Sequence, residues 1–176
     1  MNALIDGFLK DSGAIVPKAN PAYCPYWTEW RGAGSAKIGV EENRLVIESI
    51  GAGPYIVLRD SVNAARGSYA LEFRMRSKLT GGGRIFWTSG AVKKFAKEAC
   101  VEFPVQQDGA FHEYSIAVPG KDGLKLLRLD PGKGTGRAEI EWIRLKKQDG
   151  KEIKRWTFSK NAAHPPRKAV DTSEIE

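Results

Sequence analysis

The chain has two cysteines, and neither lies in a context typical of a reactive thiol. Cys24 is part of PAYCPYWTEW, in which Pro21 and Pro25 predict an extended connector. Cys100, in ACVEFPV, alternates away from its apolar neighbours and is expected to be a small packed residue. With only two histidines, the cysteines show no spacing typical of a zinc site. The thiols therefore predict neither a nucleophile nor a metal centre.

The sequence also lacks the motifs of independent catalysis. It has no G-x-S-x-G nucleophile elbow, no H-E-x-x-H and no P-loop, and its glycine-rich GKGTG is typical of a turn. Glu139 and Glu141 lie on one predicted strand, about 7 Å apart, a separation that a glycosidase could use. An exposed strand face explains these carboxylates equally well. The chain is predicted not to be an enzyme.

Basic and aromatic side chains indicate binding instead. Arg74, Arg76 and Lys78 alternate on the outward side of one predicted strand, and Arg84 follows across the turn TGGG. Guanidinium groups bind sulfate or carboxylate through paired hydrogen bonds, and an exposed indole ring such as that of Trp87 can stack on a sugar. A solvated sheet face and core packing are the alternatives. The predicted ligand-binding residues are Arg74, Arg76, Arg84 and Trp87.

Strict apolar alternation over 68–76 predicts a half-buried strand, with Tyr69, Leu71, Phe73 and Met75 on its inner face. Turn sequences such as GAGP, PGKDG and KQDG separate nine similar runs. About ten strands, without a helix-length apolar period between them, favour an all-β fold, an antiparallel β-sandwich of the jelly-roll kind. The other predicted strands are 37–41, 44–50, 55–59, 83–89, 99–105, 111–118, 124–130, 138–146 and 153–158.

The two ends of the chain differ from this pattern. Residues 2–10 have apolar side chains at helical spacing, and 92–99 could form one or two helical turns. Three prolines spaced four apart then predict an extended linker, and the C-terminal residues show no apolar period. We therefore predict a short helix and linker over 1–26, a β-sandwich over 27–158 and a loose tail over 159–176.

The chain of 176 residues has 28 Lys and Arg against 21 Asp and Glu, a net charge of +7. This charge favours an anionic partner, and nucleic acid, an acidic glycan or simple solubility all fit it. No recognition helix, zinc knuckle or RNP-like strand accompanies the charge, so nucleic acid is not a predicted partner. Without a long apolar run or a secretory signal, the chain is predicted to be soluble, with no membrane partner.

The N-terminal stretch ALIDGFLKDSGAIVPKANPAY resembles the closing segment of bacterial arylsulfatases of the formylglycine-dependent family. The later stretches GRIFWTSG, DGAFHEYSIAVPG and LKLLRLDPGKGTGRAEIEWIRLKK are similar to β-sandwich extensions of these sulfatases and to carbohydrate-binding jelly rolls. The nucleophile of that family lies in a [CS]-x-P-x-R motif beside a calcium ion. Cys24 is followed directly by Pro25, so it does not match this motif.

This resemblance implies a non-catalytic accessory domain of a sulfatase, which binds or positions an acidic or sulfated polysaccharide. The alternative is a structural domain that packs on the catalytic domain or mediates oligomerisation, with no ligand of its own. The sulfatase catalytic domain is an implied partner, and the parent protein is expected to be periplasmic or secreted. No cofactor is predicted, and a structural calcium ion is left open.

Overall fold

The computed structural model describes residues 28–159. The predicted N-terminal helix, the linker with Cys24 and nearly all of the predicted tail lie outside these residues. Within them, the stretch predicted to form helical turns contains one short 3-10 turn, Lys97–Ala99, and no α-helix. The nine strands are β1 (Trp30–Glu41), β2 (Arg44–Leu58), β3 (Gly67–Ser77), β4 (Gly83–Trp87), β5 (Cys100–Phe103), β6 (His112–Gly120), β7 (Leu127–Asp130), β8 (Gly136–Lys147) and β9 (Glu152–Thr157).

All nine strands pair in the antiparallel sense, and the long strand β2 joins two layers. Residues 45–49 of β2 pair with β8, whereas 56–57 pair with β7. The first layer therefore contains β6, β3, β8 and the start of β2, with β9 beside β8, and the second contains β5, β4, β7 and the end of β2. This is the predicted jelly-roll-like β-sandwich, and the prediction of fold class is confirmed.

Aromatic side chains fill the space between the two layers. The four side chains predicted to point inward from β3 are at most 3% exposed, which confirms the register of that strand. Phe73 contacts the ring of Phe103 on β5, with centroids 5.5 Å apart, and the ring of Tyr114 on β6 at 5.1 Å. Gly83 makes room for Phe103, because a Cβ atom at this position would lie 2.2 Å from the Phe103 ring.

Strand β1 pairs with β2 and forms the edge of both layers beside it. It follows β2 along nearly its whole length, with one register shift between Gly34 and Ala36. At its start, the fully buried Trp30 packs edge-on against Trp156 of β9, with ring centroids 5.4 Å apart. Burying an aromatic side chain of this size removes a large apolar area from water. The Trp30–Trp156 contact therefore holds β9 to the rest of the core.

Candidate functional site

A bulge in β8 turns one tryptophan outward from the first layer. Arg74 of β3 lies opposite Trp142, but the next residue, Met75, lies opposite Ile140, so that Glu141 is the extra residue. In the sequence, the change of parity between Ile140 and Ile143 fits either a bulge or a second buried face, and the register shows the bulge. Trp142 is partly exposed, whereas the other three tryptophans of the described residues are at most 7% exposed.

Charged groups that can donate and accept hydrogen bonds surround the Trp142 ring. The Arg74 Nε atom lies 2.6 Å from a carboxylate oxygen of Glu141, the bulged residue. The guanidinium carbons of Arg144 and Arg155 lie 5.1 Å and 5.6 Å from the centre of the Trp142 ring. We call this outer surface of β3, β6 and β8 the Trp142 face. It combines an aromatic ring with fixed polar groups, which is the chemistry that recognises a sugar.

Farther along the Trp142 face, the buried carboxylate of Glu139 holds three arginines. Arg76 hydrogen-bonds to it, and the nearest nitrogens of Arg44 and Arg137 lie 3.5 Å from one of its oxygens. Burial alone would raise the pKa of Glu139, but the hydrogen bond from Arg76 and the three guanidinium charges lower it. Arg76 also lies over the Phe111 ring, 4.8 Å from its centre. Further glutamates pair with Arg44 and Arg137, so carboxylates offset the charge of all three arginines.

On the other side of Trp142, the same face contains a groove of about 590 Å³, a volume typical of ligand sites. Ala70 of β3 and Ala117 of β6 line it, and because their side chains are small they do not fill the groove. Glu72 and Lys146 provide charge, and Pro119 lines the groove where β6 ends. The groove therefore presents polar groups along an open surface at the ends of β3, β6 and β8.

Glu72 connects this groove to Trp142. Its carboxylate lies 3.0 Å from Lys146 Nζ, accepts a hydrogen bond from Arg144, and accepts one from Ser115 Oγ at 3.2 Å. Burial would raise the pKa of Glu72, but the hydrogen bonds from Lys146 and Arg144 lower it, so the carboxylate is ionised at neutral pH. Because Arg144 also contacts Trp142, the ring and the groove form one continuous surface.

The outer surface of β4, β5 and β7, which we call the Phe86 face, is built from similar residues. The buried Asp130 accepts hydrogen bonds from Arg128 Nε at 2.7 Å, from Arg128 Nη2 at 2.9 Å and from Arg84 Nη2 at 3.0 Å. The Arg128 guanidinium carbon lies 3.7 Å from the centre of the Tyr55 ring and 4.5 Å from that of Phe86. Phe86 is only 7% exposed and offers little open ring surface.

The four predicted ligand-binding residues do not form one site. Arg74 and Arg76 lie together on the Trp142 face, but Arg84 projects from the opposite face of the sandwich. The expected exposure of Trp87 is wrong, because its side chain points into the core and is 7% exposed. Arg84 lies on the other face because the turn TGGG crosses from the first layer to the second, since β3 pairs with β6 and β8 whereas β4 pairs with β5 and β7. Trp87 is buried because it shares the inward face of β4 with Ile85.

Sequence reasoning did not select Trp142 as a ligand-binding residue. The parity change in β8 was the available signal, because a bulge places two consecutive side chains on one face. The contribution of Phe111, which precedes β6 and lies beneath Arg76, had no signal in the sequence pattern. It depends on how the segment before β6 meets the neighbouring strand.

The geometry supports neither a reactive thiol at Cys100 nor a catalytic pair of carboxylates at Glu139 and Glu141. Cys100 lies opposite Phe86 in the β4–β5 pair, and burial raises the pKa of its thiol, which keeps it protonated at neutral pH. Glu139 and Glu141 each pair with an arginine. Between residues 28 and 159, no group of three or more His, Cys, Asp or Glu side chains could hold a metal ion. No helix in that range is long and apolar enough to cross a membrane.

Known structures share this fold. The chain is similar to a family 4 carbohydrate-binding module (CBM4), with 12% identity, a TM-score of 0.54, and coverage of 73% of this chain and 92% of the module. A variant of a family 29 carbohydrate-binding module matches with 12% identity and a TM-score of 0.50, over 67% of this chain and 80% of the module. No family model matches the chain, and no curated protein matches it. At these identities, the likeness shows the fold alone.

Proposed function

We propose that this domain binds a polysaccharide on the Trp142 face and does not chemically change it. The observation behind this proposal is the partly exposed ring of Trp142, which lies beside Arg74 and Glu141 and continues into the groove. A flat ring offers a stacking surface to the C–H face of a pyranose, and carboxylate and guanidinium groups hydrogen-bond to its hydroxyls. The shared fold with carbohydrate-binding modules supports this assignment.

The biological setting is the second part of the proposal, and it comes from the sequence. The resemblance of ALIDGFLKDSGAIVPKANPAY to the end of sulfatases suggests an accessory domain that holds substrate near a sulfatase catalytic domain. We therefore propose an acidic or sulfated polysaccharide as the ligand, which the net charge of +7 also favours. The alternative is a purely structural domain without a ligand, and binding measurements distinguish it from the proposed polysaccharide-binding domain.

Calorimetry with the 176-residue chain and a panel of neutral, carboxylated and sulfated polysaccharides tests the proposal. We expect a Kd on the order of 0.1 to 1 mM for the best ligand, because the site is open and its charges are screened. Trp142→Ala should weaken binding at least about tenfold, whereas Tyr55→Ala, which removes a ring from the Phe86 face, should leave it unchanged.

Circular dichroism spectra of both variants should match that of the unmodified chain, as a control that they fold. Absence of binding to every polysaccharide would favour the structural alternative. Unchanged binding by Trp142→Ala would show that a ligand, if bound, does not use the Trp142 face.

A further inference from the structure

The net positive charge of the domain does not lie on the arginines of the Trp142 face. Arg44, Arg74, Arg76, Arg137 and Arg144 all pair there with glutamates. By contrast, nine exposed lysines have no ion pair with any residue of 28–159, and five of the nine belong to two short segments of the chain. These five lysines are Lys93, Lys94, Lys97, Lys121 and Lys125.

Backbone hydrogen bonds hold the two segments, 88–99 and 119–126, against each other. Gly90 N donates to the carbonyl of Asp122 at 3.3 Å, and Lys125 N donates to the carbonyl of Thr88 at 2.9 Å. The segments together contain five lysines and two acidic residues, a net charge of +3, and Asp122 is itself 3.9 Å from an arginine outside them. We call this pair of segments the basic end.

The basic end adjoins the groove of the Trp142 face. Pro119 lines that groove, and it also lines a smaller cavity of about 160 Å³ within the basic end. Lys121 lines the same small cavity, together with the two acidic residues of the basic end, Glu98 and Asp122. An extended chain that leaves the groove past Pro119 therefore meets Lys121 next, in the segment that backbone hydrogen bonds join to the one containing Lys93, Lys94 and Lys97.

We infer that the basic end binds the sulfate or carboxylate groups of a polysaccharide whose sugar rings occupy the groove. This inference rests on the proposed function and locates the part of the site that reads negative charge. Lysine is a compact point charge on a flexible stem, so it can follow anionic groups without the fixed geometry of an arginine pair. The arginines of the Trp142 face hold its carboxylates in place, and the lysines distinguish acidic from neutral chains.

The test compares a sulfated polysaccharide with its chemically desulfated form at low and at physiological salt. The triple variant Lys93→Gln, Lys94→Gln, Lys97→Gln should bind the sulfated form roughly tenfold more weakly at low salt and the desulfated form as tightly as the unmodified chain. Its salt dependence should also be smaller. The matched control is Arg31→Gln, Lys37→Gln, Lys133→Gln, which removes three exposed basic side chains outside both the basic end and the Trp142 face and should change neither affinity.

Melting temperatures establish that both triple variants fold. Equal weakening by the two triple variants would overturn the inference, because a general loss of charge would then explain the effect. So would tight binding of single-stranded DNA that Trp142→Ala leaves unchanged, since the basic end would then be a general polyanion surface. If Trp142→Ala abolishes binding of both forms while the two triple variants match the unmodified chain, the proposed function stands and this inference fails.

Discussion

The two outer faces of this sandwich are made from the same kinds of residue and yet present different surfaces. Each has a buried carboxylate held by arginines, Glu139 on the Trp142 face and Asp130 on the Phe86 face. Each also places guanidinium groups over an aromatic ring, Phe111 on the first and Phe86 on the second. Buried charges require partners of this kind, so these clusters are first of all structural.

The difference lies in what each face leaves uncovered. On the Phe86 face, Arg128 lies between Tyr55 and Asp130, and the ring of Phe86 is buried. On the Trp142 face, the β8 bulge adds a second outward side chain, which leaves the Trp142 ring partly exposed and next to an open groove. A count of arginines and aromatic residues does not distinguish the faces; the bulge and the groove do.

The largest expected effect comes from removing the charge of the buried carboxylate that each face contains. Glu139→Gln and Asp130→Asn keep the shape of each side chain but remove its charge, which leaves arginines near a buried neutral group. Each should lower the free energy of unfolding by about 2 to 3 kcal/mol in urea denaturation. Glu113→Gln, at an exposed partner of Arg74, is the control and should change it by less than about 0.5 kcal/mol.

A loss confined to one of the two variants would show that only that face depends on its carboxylate. The buried carboxylate would then be a stabilising feature of one face and not of both.

A smaller loss of folding stability is expected at acidic pH, and it comes from two carboxylates of the Trp142 face. The pKa values of Glu139 and Glu72 are lowered in the folded state, so the unfolded chain binds more protons at acidic pH. Their contribution to stability is therefore complete above about pH 5 and is lost as the pH falls through the folded-state pKa values. Melting temperatures between pH 7 and pH 3 should fall below about pH 4.5.

Glu139→Gln should flatten this acid limb of the stability profile, because one of the two titrating groups is gone. A profile of unchanged steepness would assign the acid sensitivity to other carboxylates.

The sequence predicted the strands well and their assembly less well. Alternation identifies which side of a strand faces the core, and it placed Leu71 and Phe73 inside and Arg74 outside. It does not identify which layer a strand joins, and Arg84 was therefore grouped with Arg74 although they lie on opposite faces. Similarly, GAGP was interpreted as a turn between two strands, but β1 pairs on both sides of it and β2 is continuous.

The smallest effect should separate the structural arginine of one face from the ligand-binding arginine of the other. Arg128→Lys loses the paired hydrogen bonds to Asp130 and the stacking on Tyr55, so unfolding should cost about 1 to 2 kcal/mol less. Arg74→Lys keeps a contact with Glu141 at a partly exposed site, so stability should change by less than about 0.5 kcal/mol. In calorimetry, however, Arg74→Lys should weaken polysaccharide binding while Arg128→Lys leaves it intact, because Arg74 adjoins Trp142 and Arg128 lies on the Phe86 face. The reverse result would place the ligand on the Phe86 face.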